Sequence, residues 1–211
     1  MTELHALRDA YRSDKAALLA AMQSTGASTR GIRVLLRKLS SLAGNLLQTL
    51  WQRAQLPNEM ALVAVGGFGR DQLFPYSDVD VLLLLPDGTA PEAGSALRTK
   101  LEGFIGSCWD TGLEIGSSVR TVAECLAESA GDVTVQTSLL ESRLVCGNAA
   151  LFAEFQRQYR AQMNPQAFLV AKTLEMRQRH TKYENTPYSL EPNCKESPGG
   201  LRDLQMILWV S

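Results

Sequence analysis

The sequence is poor in the residues that staple or metallate small domains. Its 211 residues include four cysteines, Cys108, Cys125, Cys146 and Cys194, and two histidines, His5 and His180. The cysteines are scattered, without close Cys/Cys or Cys/His spacing, so neither a zinc module nor a disulfide framework is indicated. Isolated imidazoles do not make a metal site. A reduced, cytoplasmic setting is expected. Charge of one sign is also lacking: the formal net charge is -1. No global basic field favours nucleic acid as a partner. Long apolar runs are missing too. The longest, Val81 to Pro86, is far too short to span a bilayer, so no membrane association is expected. Charges run through the first thirty residues without an apolar signal core, which argues against secretion. There is no internal repeat and no low-complexity segment.

What is present suffices for a globular core, since 45% of the residues are hydrophobic. Three parts are expected: a helical segment over 1–56, an alternating strand and helix core over 57–147, and a helical segment with a linker over 148–211. In the first, Leu35, Leu36, Leu39, Leu42, Leu46, Leu47 and Leu50 recur at helical spacing, with Thr29 as a cap and Pro57 as the stop. In the second, Met60–Val65 and Val79–Leu85 read as continuous apolar strands. Pro91–Trp109 reads as a helix and Leu113–Val119 as a third strand. Thr121 with Glu124 has the pattern of a capping box. From Asp132 the signals are helical, and Glu141 and Arg143 read as solvated or paired helix positions. Asn185–Gly200 reads as a loop and Leu201–Val210 as a helix interrupted at Ser211. Trp51, Trp109 and Trp209 fall at apolar helical positions and are expected in a core or an interface.

The chemistry concentrates in "LVAVGGFGRDQLFPYSDVDVLLLLPD", Leu62 to Asp87. Side chains at i and i+2 of a strand share a face, so Asp78 and Asp80 stand side by side. Ionised together at a partly buried strand end they repel, and one of them should hold its proton more tightly. A divalent cation removes the conflict, because Mg²⁺ commonly takes one or two carboxylates plus substrate phosphates. The preceding glycines let backbone N–H groups approach phosphate oxygens. Together these features describe a metal–nucleotide site, with Mg²⁺ or Mn²⁺ as the ion. By themselves the glycines could be only a tight turn, and Asp80 could pair with a neighbouring arginine such as Arg70. The stretch is neither a Walker A loop nor a complete G-x-G-x-x-G. A calcium loop is disfavoured because Leu82 and Leu84 stand where further oxygen ligands belong.

Gly66-Gly67, a ten-residue spacer and Asp78-Val79-Asp80 resemble the signature of the DNA polymerase β-like nucleotidyltransferases. The wording "GGFGRDQLFPYSDVDVLLL", with "LEIGSSVRTVAECL" (Leu113–Leu126) and "YSLEPNCKESPGGLRDLQMILWV" (Tyr188–Val210), resembles the bacterial PII-protein uridylyltransferase/uridylyl-removing family. The resemblance implies an α/β (α+β) nucleotidyltransferase domain with a short mixed sheet, flanked by N- and C-terminal helices. It implies transfer of UMP from UTP to a tyrosine of the PII signalling protein, releasing pyrophosphate. That family is longer than this chain and continues into a hydrolytic domain and two glutamine-sensing domains. The chain is therefore expected to be an N-terminal portion, with glutamine acting only through domains outside it. Hydrolytic removal of UMP is not expected of it, because neither histidine is followed by an aspartate.

Roles follow from the resemblance and the chemistry. Asp78 and Asp80 are the metal-binding catalytic carboxylates. Glu114 is the candidate third carboxylate, as metal ligand or as base toward the acceptor hydroxyl, against the alternative of a solvated strand-edge residue. Gly66 and Gly67 would cradle the triphosphate. Arg70 is a candidate phosphate contact or a brace paired with Asp71 or another acid. Ser77 is a candidate nucleotide contact or a strand cap. Lys195 and Arg202 are candidate nucleotide contacts or inter-domain braces.

Overall fold

The computed structural model describes residues 3–25, 28–183, 185, 186, 188, 190, 191 and 193–210. The readings at residues 1, 2, 26, 27, 184, 187, 189, 192 and 211 fall outside them. Among the described residues no helix is long and apolar enough to cross a membrane.

Two long helices come first, α1 (Glu3–Thr25) and α2 (Thr29–Ala54). The cap of α2 is Ser28, not the expected Thr29: its hydroxyl accepts from the Gly31 N–H at 3.0 Å. An N-cap must keep an extended backbone while its oxygen reaches into the first turn, and Ser28 does so. The helix stops at Ala54 because Gln55 adopts φ 47°, before Pro57 is reached. Its leucine stripe is buried at Leu35, Leu36, Leu39, Leu46, Leu47 and Leu50.

The sheet has four strands, β1 (Ala61–Ala64), β2 (Val79–Leu85), β3 (Ile115–Thr121) and β4 (Arg143–Gly147). Their order is β3-β2-β1-β4. β1 runs antiparallel to both β2 and β4, whereas β2 and β3 are parallel. This is the mixed α/β arrangement expected of the nucleotidyltransferase core. A strand covered on both faces reads as a continuous apolar run, and β1 and β2 do. On one face Leu62, Ala64, Val81, Leu83 and Leu85 pack with α1, α2 and α4 (Ala96–Asp110), where Trp51 meets Phe104 edge-on at 5.8 Å. On the other, Ala61, Val63, Leu82 and Leu84 pack with Val122 and Cys125 of α5 (Val122–Gly131), Leu139 of α6 (Val133–Leu140), and Phe152, Phe155 and Tyr159 of α7 (Ala149–Gln162). Burial pushes the thiols of Cys108, Cys125 and Cys146 up to about 12.

Several boundaries differ from those expected, each for a local reason. The glycines form a single helical turn, α3 (Gly66–Gly69), entered through Gly66 at φ 57°. α4 begins only at Ala96, capped by Ser95, because Gly94 at φ 77° breaks the backbone after Pro91. The third strand is shifted onward, to Ile115–Thr121. The Thr121–Glu124 capping box is present, with both reciprocal hydrogen bonds, at 3.2 and 2.7 Å. From Asp132 onward the chain is helical as expected, except for an unexpected strand between α6 and α7. Glu141 follows α6 in a turn and Arg143 opens β4. Trp109 is exposed rather than in a core. The last elements, α8 (Pro165–Lys182) and α9 (Leu201–Val210), are helices, and α9 has the bounds expected.

Phe155 is wholly buried and packs its ring against Phe152 and Tyr159. Phe155→Ala is expected to lower the unfolding free energy by about 3–5 kcal/mol through lost burial and the cavity left behind. Val34→Ala, at a position 44% exposed on α2, should change it by less than about 0.5 kcal/mol. Paired urea titrations check both; equal effects would refute the assignment of this core.

Candidate active site

The aspartates stand where β2 leaves its apolar cover. Asp78 precedes the strand and Asp80 lies within it, both exposed, while Val79 between them points into the core. The backbone ties this strand end to its neighbours. Val65 N–H donates to the Asp80 carbonyl at 3.1 Å, and Val79 N–H donates to the Glu114 carbonyl at 2.9 Å.

Two glycines enclose the Asp80 carboxylate. A Cβ on Gly66 would lie 3.6 Å from Oδ2, and a Cβ on Gly116 would lie 2.5 Å from Oδ1. The second approach is closer than a real Cβ shows, so any larger residue at 116 would have to push the Asp80 carboxylate aside. Gly116 is a site residue that the sequence reading missed. Its signal was present, since an isolated glycine inside a strand marks close approach by another group. Although Asp80 keeps contact with solvent, partial desolvation by the surrounding strands, and then the negative charge of Asp78, raise its carboxyl above the ordinary range, while Lys195 opposes them. The loop between α8 and α9 thus brings Lys195 within electrostatic reach of the aspartates.

That loop is tightly cross-linked. Asn193 Oδ1 accepts from the N–H groups of Lys195 and Glu196, each at 3.0 Å. Leu201 N–H donates to the Cys194 carbonyl at 2.8 Å, and Arg202 N–H donates to that of Lys195 at 3.0 Å. The Arg202 side chain pairs at 3.2 Å with Glu196, six residues before it, a local brace of this loop rather than the inter-domain brace expected. Asp203 anchors the loop to α8: it pairs with Arg179, meets His180 Nε2 at 2.8 Å and accepts from Gly199 N–H at 2.7 Å. Burial acts to raise the Asp203 carboxyl, but Gly199, His180 and Arg179 together hold it below its usual range.

Arg70 is also a brace. Its guanidinium pairs with Glu141, whose side chain is 7% exposed, and donates to Gln72 at 3.3 Å. Asp71 pairs instead with Arg143, at 3.3 Å. Arg143 lies over the Phe68 ring at 5.3 Å and donates to the Phe68 carbonyl at 3.0 Å. A cation there complements the carbonyl end of the helical turn. A Cβ on Gly69 would overlap the Glu141 carbonyl, so residues 141–143 are pressed directly against the turn.

Glu114 and Ser77 are placed differently. Both line a cavity of about 130 Å³ with Tyr11, Lys15, Phe74 and Tyr76. Burial, and then the Glu114 charge, raise the Tyr11 phenol. By backbone register Glu114 adjoins Asp78, because Val79 pairs with Ile115. Its side chain nevertheless lines this cavity. Among the described residues no group of three His, Cys, Asp or Glu side chains could hold a metal ion. Asp78, Asp80 and Lys195 are brought together; Arg70, Ser77 and Arg202 serve other contacts or lie beside them.

Two substitutions test this geometry. Gly116→Ala should displace the Asp80 carboxylate and weaken any ligand it holds, while the exposed edge strand stays folded. Unchanged divalent-cation and nucleotide binding by calorimetry would count against the enclosure. Asp203→Asn should lower the melting temperature at neutral pH. A depressed carboxyl stabilises the fold above the unfolded-state pKa and loses that contribution as pH falls through the folded value. The gap between variant and wild type should therefore close in acid, as a melting series from pH 7 downward would show. A gap independent of pH would disprove the anchoring role of the charge.

The chain is similar to known proteins along most of its length. A family model described as GlnD PII-uridylyltransferase matches residues 167–211, which carry most of α8, the Lys195 loop and α9. A bifunctional uridylyltransferase/uridylyl-removing enzyme of Cupriavidus metallidurans is 55% identical over 205 residues, 97% of this chain and 23% of that protein. Its namesake in Burkholderia mallei is 56% identical over 201 residues, 95% of this chain and 22% of that protein. That of Ralstonia nicotianae is 53% identical over 204 residues, 97% of this chain and 23% of that protein. The chain thus spans under a quarter of the length of the curated relatives it matches. Along almost all of its own length the chain is thus similar to the bifunctional uridylyltransferase/uridylyl-removing enzymes.

Proposed function

We propose that this chain carries a uridylyltransferase centre that moves UMP from UTP to a tyrosine of a PII signalling protein. The observation that carries this reading is the Asp80 carboxylate, enclosed by Gly66 and Gly116, beside Asp78 and within reach of Lys195. The donor set fits Mg²⁺, or Mn²⁺, because two neighbouring carboxylates leave the remaining positions for phosphate and water oxygens. An ion held there would neutralise charge on the triphosphate and align it for displacement.

The chain's own residues supply the rest. Asp78 and Asp80 would hold the ion. Gly66 and Gly67 offer backbone N–H groups at a turn whose preceding residue, Val65, supplies no side-chain cap. Lys195 would add positive charge on the phosphate side. The acceptor oxygen attacks the α-phosphorus in line; the new P–O bond forms as the bond to the β-phosphate bridging oxygen breaks. Pyrophosphate leaves, and the phenolic proton must pass to a base. Glu114 is proposed for that role, since its backbone adjoins Asp78.

A second reading is nucleotide binding without turnover. A relative with another acceptor or base is the further alternative. Labelled UTP or ATP, with PII as acceptor, separates these readings when calorimetry is run alongside. Asp78→Asn and Asp80→Asn should each reduce transfer by about 10²–10³-fold, as loss of a main electrostatic contact does. In metal-free buffer Asp80→Asn should be no less stable than wild type, because a carboxyl with a raised pKa disfavours the fold when ionised. Undiminished transfer by the double variant would overturn the assignment.

A further inference from the structure

We infer that Trp209 of α9 and Glu141 are positioning residues for the glycine turn, so that the last helix sets the geometry of the phosphate cradle. This rests on the uridylyltransferase reading for its consequence in catalysis, but not for its structural content. The Glu141 carboxylate is divided between two partners. One oxygen accepts from the Arg70 guanidinium, the residue that closes the glycine turn, and the other accepts from the indole N–H of Trp209. The Glu141 side chain is almost fully buried and Arg70 is 21% exposed, so neither end of the pair is shed to water easily. The Trp209 ring is fixed in turn by the Lys172 ammonium, which sits 4.6 Å from its centroid. Lys172 is itself buried at 3% exposure and pairs with Glu175.

The connection therefore runs from α8 through Trp209 and Glu141 to Arg70. At its far end the backbone leaves no slack, since Gly69 touches the Glu141 carbonyl and lies 3.0 Å, by its would-be Cβ, from the Ala64 carbonyl. A shift of Glu141 must move the turn. The amides of Gly69 and Arg70, bonded to the carbonyls of Val65 and Gly66 at 3.1 Å each, report on that turn directly. A carboxylate whose two oxygens serve two charged or polar donors couples those donors, and the coupling is what a double-mutant cycle measures.

The test uses Trp209→Phe, which keeps an aromatic face for Lys172 and removes the N–H, with Glu141→Gln and the double variant. Hydrogen exchange in nucleotide-free protein should accelerate at Gly69 and Arg70 by about 3–10-fold in Trp209→Phe, a modest local opening. Amides of α4, on the opposite face of the sheet, should be unchanged and serve as the fold control. The dissociation constant or KM for UTP with Mg²⁺ should rise by a similar factor, with kcat changed by less. The double variant should be no worse than Glu141→Gln alone. Additive effects, or unchanged exchange at Gly69 and Arg70, would overturn the inference. If wild-type protein neither binds nor turns over UTP, the functional reading fails, and the exchange data still decide the positioning.

Discussion

Two neighbouring carboxylates at the end of a buried strand repel each other, and the site is organised around that repulsion. β2 cannot move to relieve it. The strand is covered on both faces and paired on both edges, so Asp78 and Asp80 inherit a spacing fixed by the pleat. Glycine on both sides of Asp80 leaves room for the carboxylate but offers no side-chain donor to offset its charge. Lys195 offsets part of it. The remainder is an affinity for positive charge, which a divalent ion and its phosphates would satisfy. Local destabilisation of this kind is tolerable because the sheet beneath is densely buried.

The supports of the site lie mostly outside the strand that bears it. The glycine turn has few side chains of its own to pack. It is held by Arg143 against its carbonyls, by Glu141 against its backbone and by Phe68 buried beneath. The Lys195 loop is likewise shaped by its own amides and by Asp203. A small, flexible cradle is thereby made rigid by charged groups that contact the turn and loop rather than the ligand.

Legibility in the sequence followed the range of the interaction. β2 could be bounded correctly because its apolar run is long and Asp78 stands immediately before its first residue. The Thr121–Glu124 box and α9 depend on neighbours a few residues away, and both could be read. β4 could not. It is five residues long, lies between two helices, and reaches its register with β1 only through an irregularity between Leu62 and Val63. Missing β4 also misplaced Glu141 and Arg143 in a helix, and so concealed the grip on the glycine turn. Asp78, Asp80, Gly66 and Gly67 stood out by spacing alone. Gly116 did not, because its meaning depends on a carboxylate from another strand. Arg70 and Arg202 each had two readings, because the acids they pair with, Glu141 and Glu196, could not be named from the sequence.

The distribution of thiols has a practical consequence. A thiolate is the reactive form of cysteine, and Cys108, Cys125 and Cys146 are pushed to about 12, where almost none exists near neutrality. Cys194 is exposed and immediately precedes Lys195. A maleimide dye added to the unmodified protein would therefore settle at Cys194, beside Lys195, giving an optical reporter of that loop without any engineered cysteine.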